Sequence, residues 1–208
     1  MMSRDSSIYY SSLLKELISI PGETEWIEFK MNNQDPRKIG EYISALANTA
    51  ALYGKSLGYI IWGIEDSSHN IMGTNFRPKK AKKGNEELEN WLFRLISPRI
   101  NFSFHEFEYE GLNIVILEIN RAITNPVQFM GHEYIRIGTA KKNLKDYPEK
   151  ERALWRIFDN TPFDTLTVKE NSAMISRLIK DAVEDRAIKP VDPESDSRKY
   201  ARYQPIWA

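Results

Sequence analysis

The sequence predicts an α+β fold: a mixed β-sheet flanked by helices, with a short helical C-terminal appendage. Three observations predict it. Segments with helical apolar spacing are interleaved with strand-like segments along the chain. The run Tyr59-Ile60-Ile61-Trp62-Gly63-Ile64 is almost continuously apolar, as a strand buried on both faces requires. Two alternating segments, 102–109 and 112–119, meet at Glu110-Gly111 and predict a β-hairpin.

The elements follow in order. Leu13, Leu14, Leu17 and Ile18 give residues 6–20 an apolar stripe, and Pro21-Gly22 ends that helix. In Trp26-Ile27-Glu28-Phe29-Lys30 the residues alternate, which predicts a half-buried strand with Glu28 and Lys30 on its polar face. Asp35-Pro36 is an N-cap followed by proline at the first helical position. Ile39, Ile43, Leu46, Ala47 and Ala50 form the stripe of that helix, and Asn48 near its end reads as a C-terminal cap or as a polar support. Asp66 to Asn70 is a turn. Residues 85–97 predict a helix stopped by Pro98. Val127 to Phe129 and Tyr134 to Ile137 predict two more strands turning at Gly131, and Glu149 to Phe158 a helix.

The pattern thins around 160–167, so the chain divides into a main domain, 1–160, and a C-terminal segment, 161–208. That segment carries one more helix, 171–187, a polar stretch, 192–198, and an aromatic end, Tyr200 to Trp207. An aromatic tail of this kind can dock on a neighbouring subunit of a homo-oligomer.

Composition narrows the function. At 208 residues with 41% hydrophobic and 12% aromatic residues, the chain can build a real core. Its apolar runs fall short of the roughly 20 residues a membrane helix needs, and the N-terminus has no apolar signal core. Zero cysteines exclude disulfides and thiolate-bound zinc. A cytoplasmic protein is the expectation. The net charge of +0 gives no global basic character, but Arg77, Lys79, Lys80, Lys82 and Lys83 form a dense basic run. Lys141, Lys142 and Lys145 form a second. His69, His105 and His132 lack metal-ligand spacing, and no P-loop occurs.

Four motifs in order carry a family resemblance: Glu23-Thr24-Glu25-Trp26-Ile27-Glu28-Phe29-Lys30, Ile43-Ser44-Ala45-Leu46-Ala47-Asn48-Thr49, Gly63-Ile64-Glu65-Asp66, and Tyr134-Ile135-Arg136-Ile137-Gly138-Thr139. Together, over residues 10–158, they resemble the Schlafen-related, AlbA-like DNA-binding domains of bacteria, a group that includes RecG-related transcriptional regulators. Where that family has a Gly-Gly turn after the second motif, this chain runs Ala50 to Gly58. The ending resembles the winged-helix-like segment of larger members, abbreviated to one helix.

The resemblance implies a nucleic-acid-binding protein, DNA or RNA, in transcriptional regulation or defence. The basic run Arg77, Lys79, Lys80, Lys82 and Lys83, with Arg136, would supply its phosphate contacts. The resemblance also implies an alternative, a metal-dependent endoribonuclease. Such relatives use two Glu of the first motif and an Asp after the central strand, which here match Glu23, Glu28 and Asp66. Three converging carboxylates would suit Mg²⁺ or Mn²⁺, which favour hard oxygen ligands. Lys30, on the same strand face as Glu28, would stabilise developing charge. Against these stand plainer roles. Glu28 and Lys30 form a surface pair, Asp66 is a turn-former, and Arg136 pairs with a carboxylate on the sheet.

Overall fold

In a computed structural model, the structure describes residues 4–20, 24–66, 68–160, 188–190 and 203–205. The chain divides into two compact units, Met1–Asn160 and Thr161–Ala208. The helix expected over 171–187 and most of the aromatic tail lie outside the described residues. In the second unit β11 (Ile188–Pro190) pairs antiparallel with β12 (Tyr203–Pro205).

The first unit opens with α1 (Arg4–Ser19), β1 (Ile27–Lys30), α2 (Pro36–Leu52) and β2 (Leu57–Trp62). Asp35 caps α2, its carboxylate accepting from the Arg37 N–H at 2.9 Å, with Pro36 at the first turn. A 3₁₀ turn, Pro78–Lys80, leads into the short hairpin β3 (Lys82–Lys83) and β4 (Glu86–Glu87). Then come α3 (Leu88–Leu95), β5 (Ile96–Ser97), β6 (Phe102–Tyr109) and β7 (Leu112–Asn120). The unit ends with β8 (Gln128–Phe129), β9 (His132–Ile137), β10 (Ala140–Asn143) and α4 (Pro148–Asp159). The helix expected over 85–97 is therefore shorter, because residues on both sides of it join strands.

Two four-stranded sheets result. The first has the order β1-β2-β7-β6, with β1 parallel to β2 and the remaining pairs antiparallel, so the expected mixed sheet is present. The second, β10-β9-β8-β5, is wholly antiparallel. Both predicted hairpins turn on two residues with positive φ: Glu110 at 50° with Gly111 at 80°, and Met130 at 52° with Gly131 at 76°. That twist matches the twist of the flanking strands, and glycine adopts the second position without steric cost.

Helices cover both faces of the first sheet. On one, Ile27, Phe29, Tyr59, Ile61, Ile114 and Ile116 pack under Tyr10, Leu14 and Leu17 of α1. On the other, Ile60, Trp62, Val115 and Leu117 pack with Ile39, Ile43, Leu46 and Ala47 of α2. The β2 run is buried on both sides, as its apolar continuity predicted. β1 is the correction. Its alternate face is covered rather than solvated, and Glu28 is buried with Ile27 and Phe29.

Among the described residues no helix is long and apolar enough to cross a membrane. At Gly40 of α2 the helix packs directly on the Phe129 ring, and an added Cβ would lie 2.2 Å from it. Gly40→Ala should destabilise the unit by about 1–3 kcal/mol through overpacking, read as a lower urea midpoint. Phe129→Leu in the same chain should recover part of the loss. An unchanged midpoint in Gly40→Ala would show that α2 and β8 can separate freely.

Candidate nucleic-acid interface

Three buried polar residues of α2 build the frame of the site. Ser44, Asn48 and Thr49 are fully buried on an otherwise apolar helix face. Beyond its short pairing with β8, β9 has no strand among the described residues on the edge facing α2. The α2 side chains take that place. The Tyr134 N–H donates to Ser44 Oγ at 3.0 Å and the Arg136 N–H to Thr49 Oγ1 at 3.1 Å. Asn48 Nδ2 donates to the carbonyls of Tyr134 at 2.9 Å and Val127 at 3.0 Å, and its Oδ1 accepts from the Val127 N–H at 2.7 Å. Asn48 is thus a support and not a helix cap, since α2 continues to Leu52 and is capped at Tyr53.

This bracing aims β9 at β1. The Arg136 guanidinium pairs with Glu28 and donates to the Ile27 carbonyl at 2.8 Å and the Thr139 carbonyl at 3.2 Å. The second Glu28 oxygen pairs with Lys30. Glu28 is 4% exposed and Arg136 3%, so in the surface pair expected for Glu28 and Lys30 the carboxylate is buried and Lys30 is half-buried at its edge. Arg136 takes the carboxylate-pairing role, with its guanidinium turned inward. Above this cluster lies Tyr42 of α2, with the Lys30 ammonium 5.3 Å from its ring centroid. The Tyr42 pKa is raised, first by burial and then by the nearby charges of Asp66 and Glu41. Asp66 is exposed, in the turn after β2.

Glu23 lies outside the described residues. Glu28 and Asp66 alone do not form a metal centre. No group of three His, Asp or Glu able to hold an ion occurs among the described residues. Both Glu28 oxygens already face cations, which a divalent ion would have to displace. The described residues do not fit Mg²⁺ or Mn²⁺.

The basic run lies apart from this cluster in its contacts. Lys79, Lys80, Lys82 and Lys83 are exposed. Lys82 and Lys83 sit opposite Glu87 and Glu86 in the hairpin, but Glu86 binds Arg94 at 2.8 Å. Arg77 pairs with Glu106 at 3.1 Å.

The sequence reading missed Ser44, Thr49, Glu25, Glu41 and Tyr42 as site residues. Glu25 accepts from the Gly138 N–H at 3.3 Å and from the Tyr53 hydroxyl, whose pKa it raises to about 12. The available signal was hydroxyl and amide side chains at helical spacing inside an apolar stripe.

Glu28→Ala leaves two cations facing a void and should cost about 3–5 kcal/mol, measured by urea unfolding. Glu28→Met combined with Arg136→Met should cost less than the sum of the single changes. Additive losses would contradict a coupled buried pair.

The family model described as Schlafen, AlbA_2 matches residues 23–145, more than half of the chain. No curated protein matches the chain. Similar solved structures include the following two. The DIP2311 protein from Corynebacterium diphtheriae is 17% identical with a TM-score of 0.45, the match covering 73% of this chain and 29% of that one. The chain thus spans less than a third of that protein's length. The N-terminal domain of a helicase RecG-related protein from Nitrosomonas europaea is 19% identical with a TM-score of 0.40, covering 64% of this chain and 90% of that one. On the extent of the family match, the chain belongs to the Schlafen, AlbA_2 family.

Proposed function

We propose that this domain binds nucleic acid through its phosphate backbone, in a regulatory or defence role. The observation that carries the reading is the exposed group Lys79, Lys80, Lys82 and Lys83, held on a 3₁₀ turn and a hairpin strand. Family membership supports it. Four ammonium groups within five residues form a local positive field that the net charge of +0 conceals. Lysine ammonium groups neutralise phosphates without reading bases, so the contact positions the domain and carries little sequence preference. The carboxylate of Glu86 is held by Arg94, which keeps its pKa below the usual carboxylate range. In this reading Arg136 serves indirectly, holding β9 to β1.

Binding to labelled DNA and RNA, followed by fluorescence anisotropy, should weaken steeply between low and moderate salt. Replacing Lys79 and Lys80 with Gln should reduce the slope of log K against log salt by about 2, about 1 per lost contact. Salt-independent binding would remove the phosphate-contact model. Cleavage that requires Mn²⁺ and stops with chelator would replace the reading with the nuclease implied by Glu23, Glu28 and Asp66.

A further inference from the structure

A second cationic position is built differently from the exposed run. Lys141 of β10 lies directly opposite Arg136 of β9, so both point to the same face of the second sheet. Its ammonium pairs with Glu41 of α2 and lies 4.9 Å from the Tyr42 ring centroid and 5.4 Å from that of Tyr134. The side chains of Lys141 and Glu41 are 17% and 19% exposed, so both are held yet open to solvent. The Lys30 ammonium shares the Tyr42 ring. Two ammonium groups therefore stand at one aromatic ring, each with a carboxylate partner.

Such an arrangement suits an anion. Two rings and a carboxylate hold the Lys141 ammonium, so less rotamer freedom remains to be lost when a ligand binds. Its ammonium has three donors, and the Glu41 carboxylate takes only part of that capacity. A phosphodiester group offers the Lys141 ammonium further acceptor oxygens in a charge-assisted contact, in competition with the Glu41 carboxylate.

We propose that Lys141, set against the Tyr42 and Tyr134 rings, forms a phosphodiester-binding position, and that Glu41 is its resident counter-ion, displaced by the ligand. This rests on the nucleic-acid reading above and adds a position and a limit on affinity. The limit follows because the phosphate must compete with a carboxylate already in place.

The experiment is anisotropy with a fluorescein-labelled DNA single strand of mixed sequence, and with the matching duplex, on the full chain. Glu41→Gln should tighten binding by about 2- to 5-fold, the scale of one partly exposed ion pair. Glu41→Ala should do the same, which separates lost charge from any local effect of the amide. Lys141→Gln should weaken binding and lower the salt slope by about 1, while Lys141→Arg retains the slope. If the wild type binds in a salt-sensitive way but both Glu41 variants bind equally or more weakly, the counter-ion role is wrong and the nucleic-acid reading stands. If Lys141→Gln leaves affinity and slope unchanged, Lys141 is not a contact. If the wild type binds neither probe at low salt, the nucleic-acid reading itself fails.

Discussion

The bond network from Ser44, Asn48 and Thr49 to Val127, Tyr134 and Arg136 is the constraint on which the rest of the site depends. A strand edge has unpaired N–H and C=O groups, and burying them unpaired costs about 1–3 kcal/mol each. Between β2 and β7 in the first sheet, a neighbouring strand meets that demand. Between β9 and α2, helix side chains meet it, and they do so in a fixed register. The helix, packed on the first sheet through Ile43, Leu46 and Ala47, thereby fixes where β9 of the second sheet lies.

The charges follow from that register. Once the Arg136 backbone is fixed against Thr49, its guanidinium reaches Glu28 and the Ile27 carbonyl on the first sheet. A buried ion pair is weak evidence for stability, because desolvation offsets much of the attraction. Its value here lies in specificity of position. An Arg136 displaced from Glu28 would leave both charges buried and unmatched, so alternative registers of β9 are penalised. The same register sets Lys141 beside Tyr42 and Glu41, since Lys141 is the cross-strand partner of Arg136.

Much of this fold was legible in the sequence because its signals are local. The apolar run of β2, the Asp35-Pro36 start of α2 and the two hairpin turns each depend on a few adjacent residues. What could not be read depends on residues far apart in the chain. Alternation in β1 gave the correct parity, with Ile27 and Phe29 on one face and Glu28 on the other, but not the helix that covers the second face. Asn48 lay near enough to the helix end to read as a cap, yet its partners are 79 and 86 residues away. Lys141 and Glu41 are separated by 100 residues, and nothing in either local segment announces the pair. Glu23 lies outside the described residues, so the three-carboxylate reading rests on the resemblance.

The central claim is that α2 side chains stand in for a strand and so position the site. Amide hydrogen exchange in the wild type and in Asn48→Ala tests it most directly. The account predicts faster exchange at Val127, Tyr134 and Arg136, with Ile60 and Ile116 in the first sheet keeping their protection. Unchanged exchange at those three amides would contradict it, as would uniform loss across both sheets.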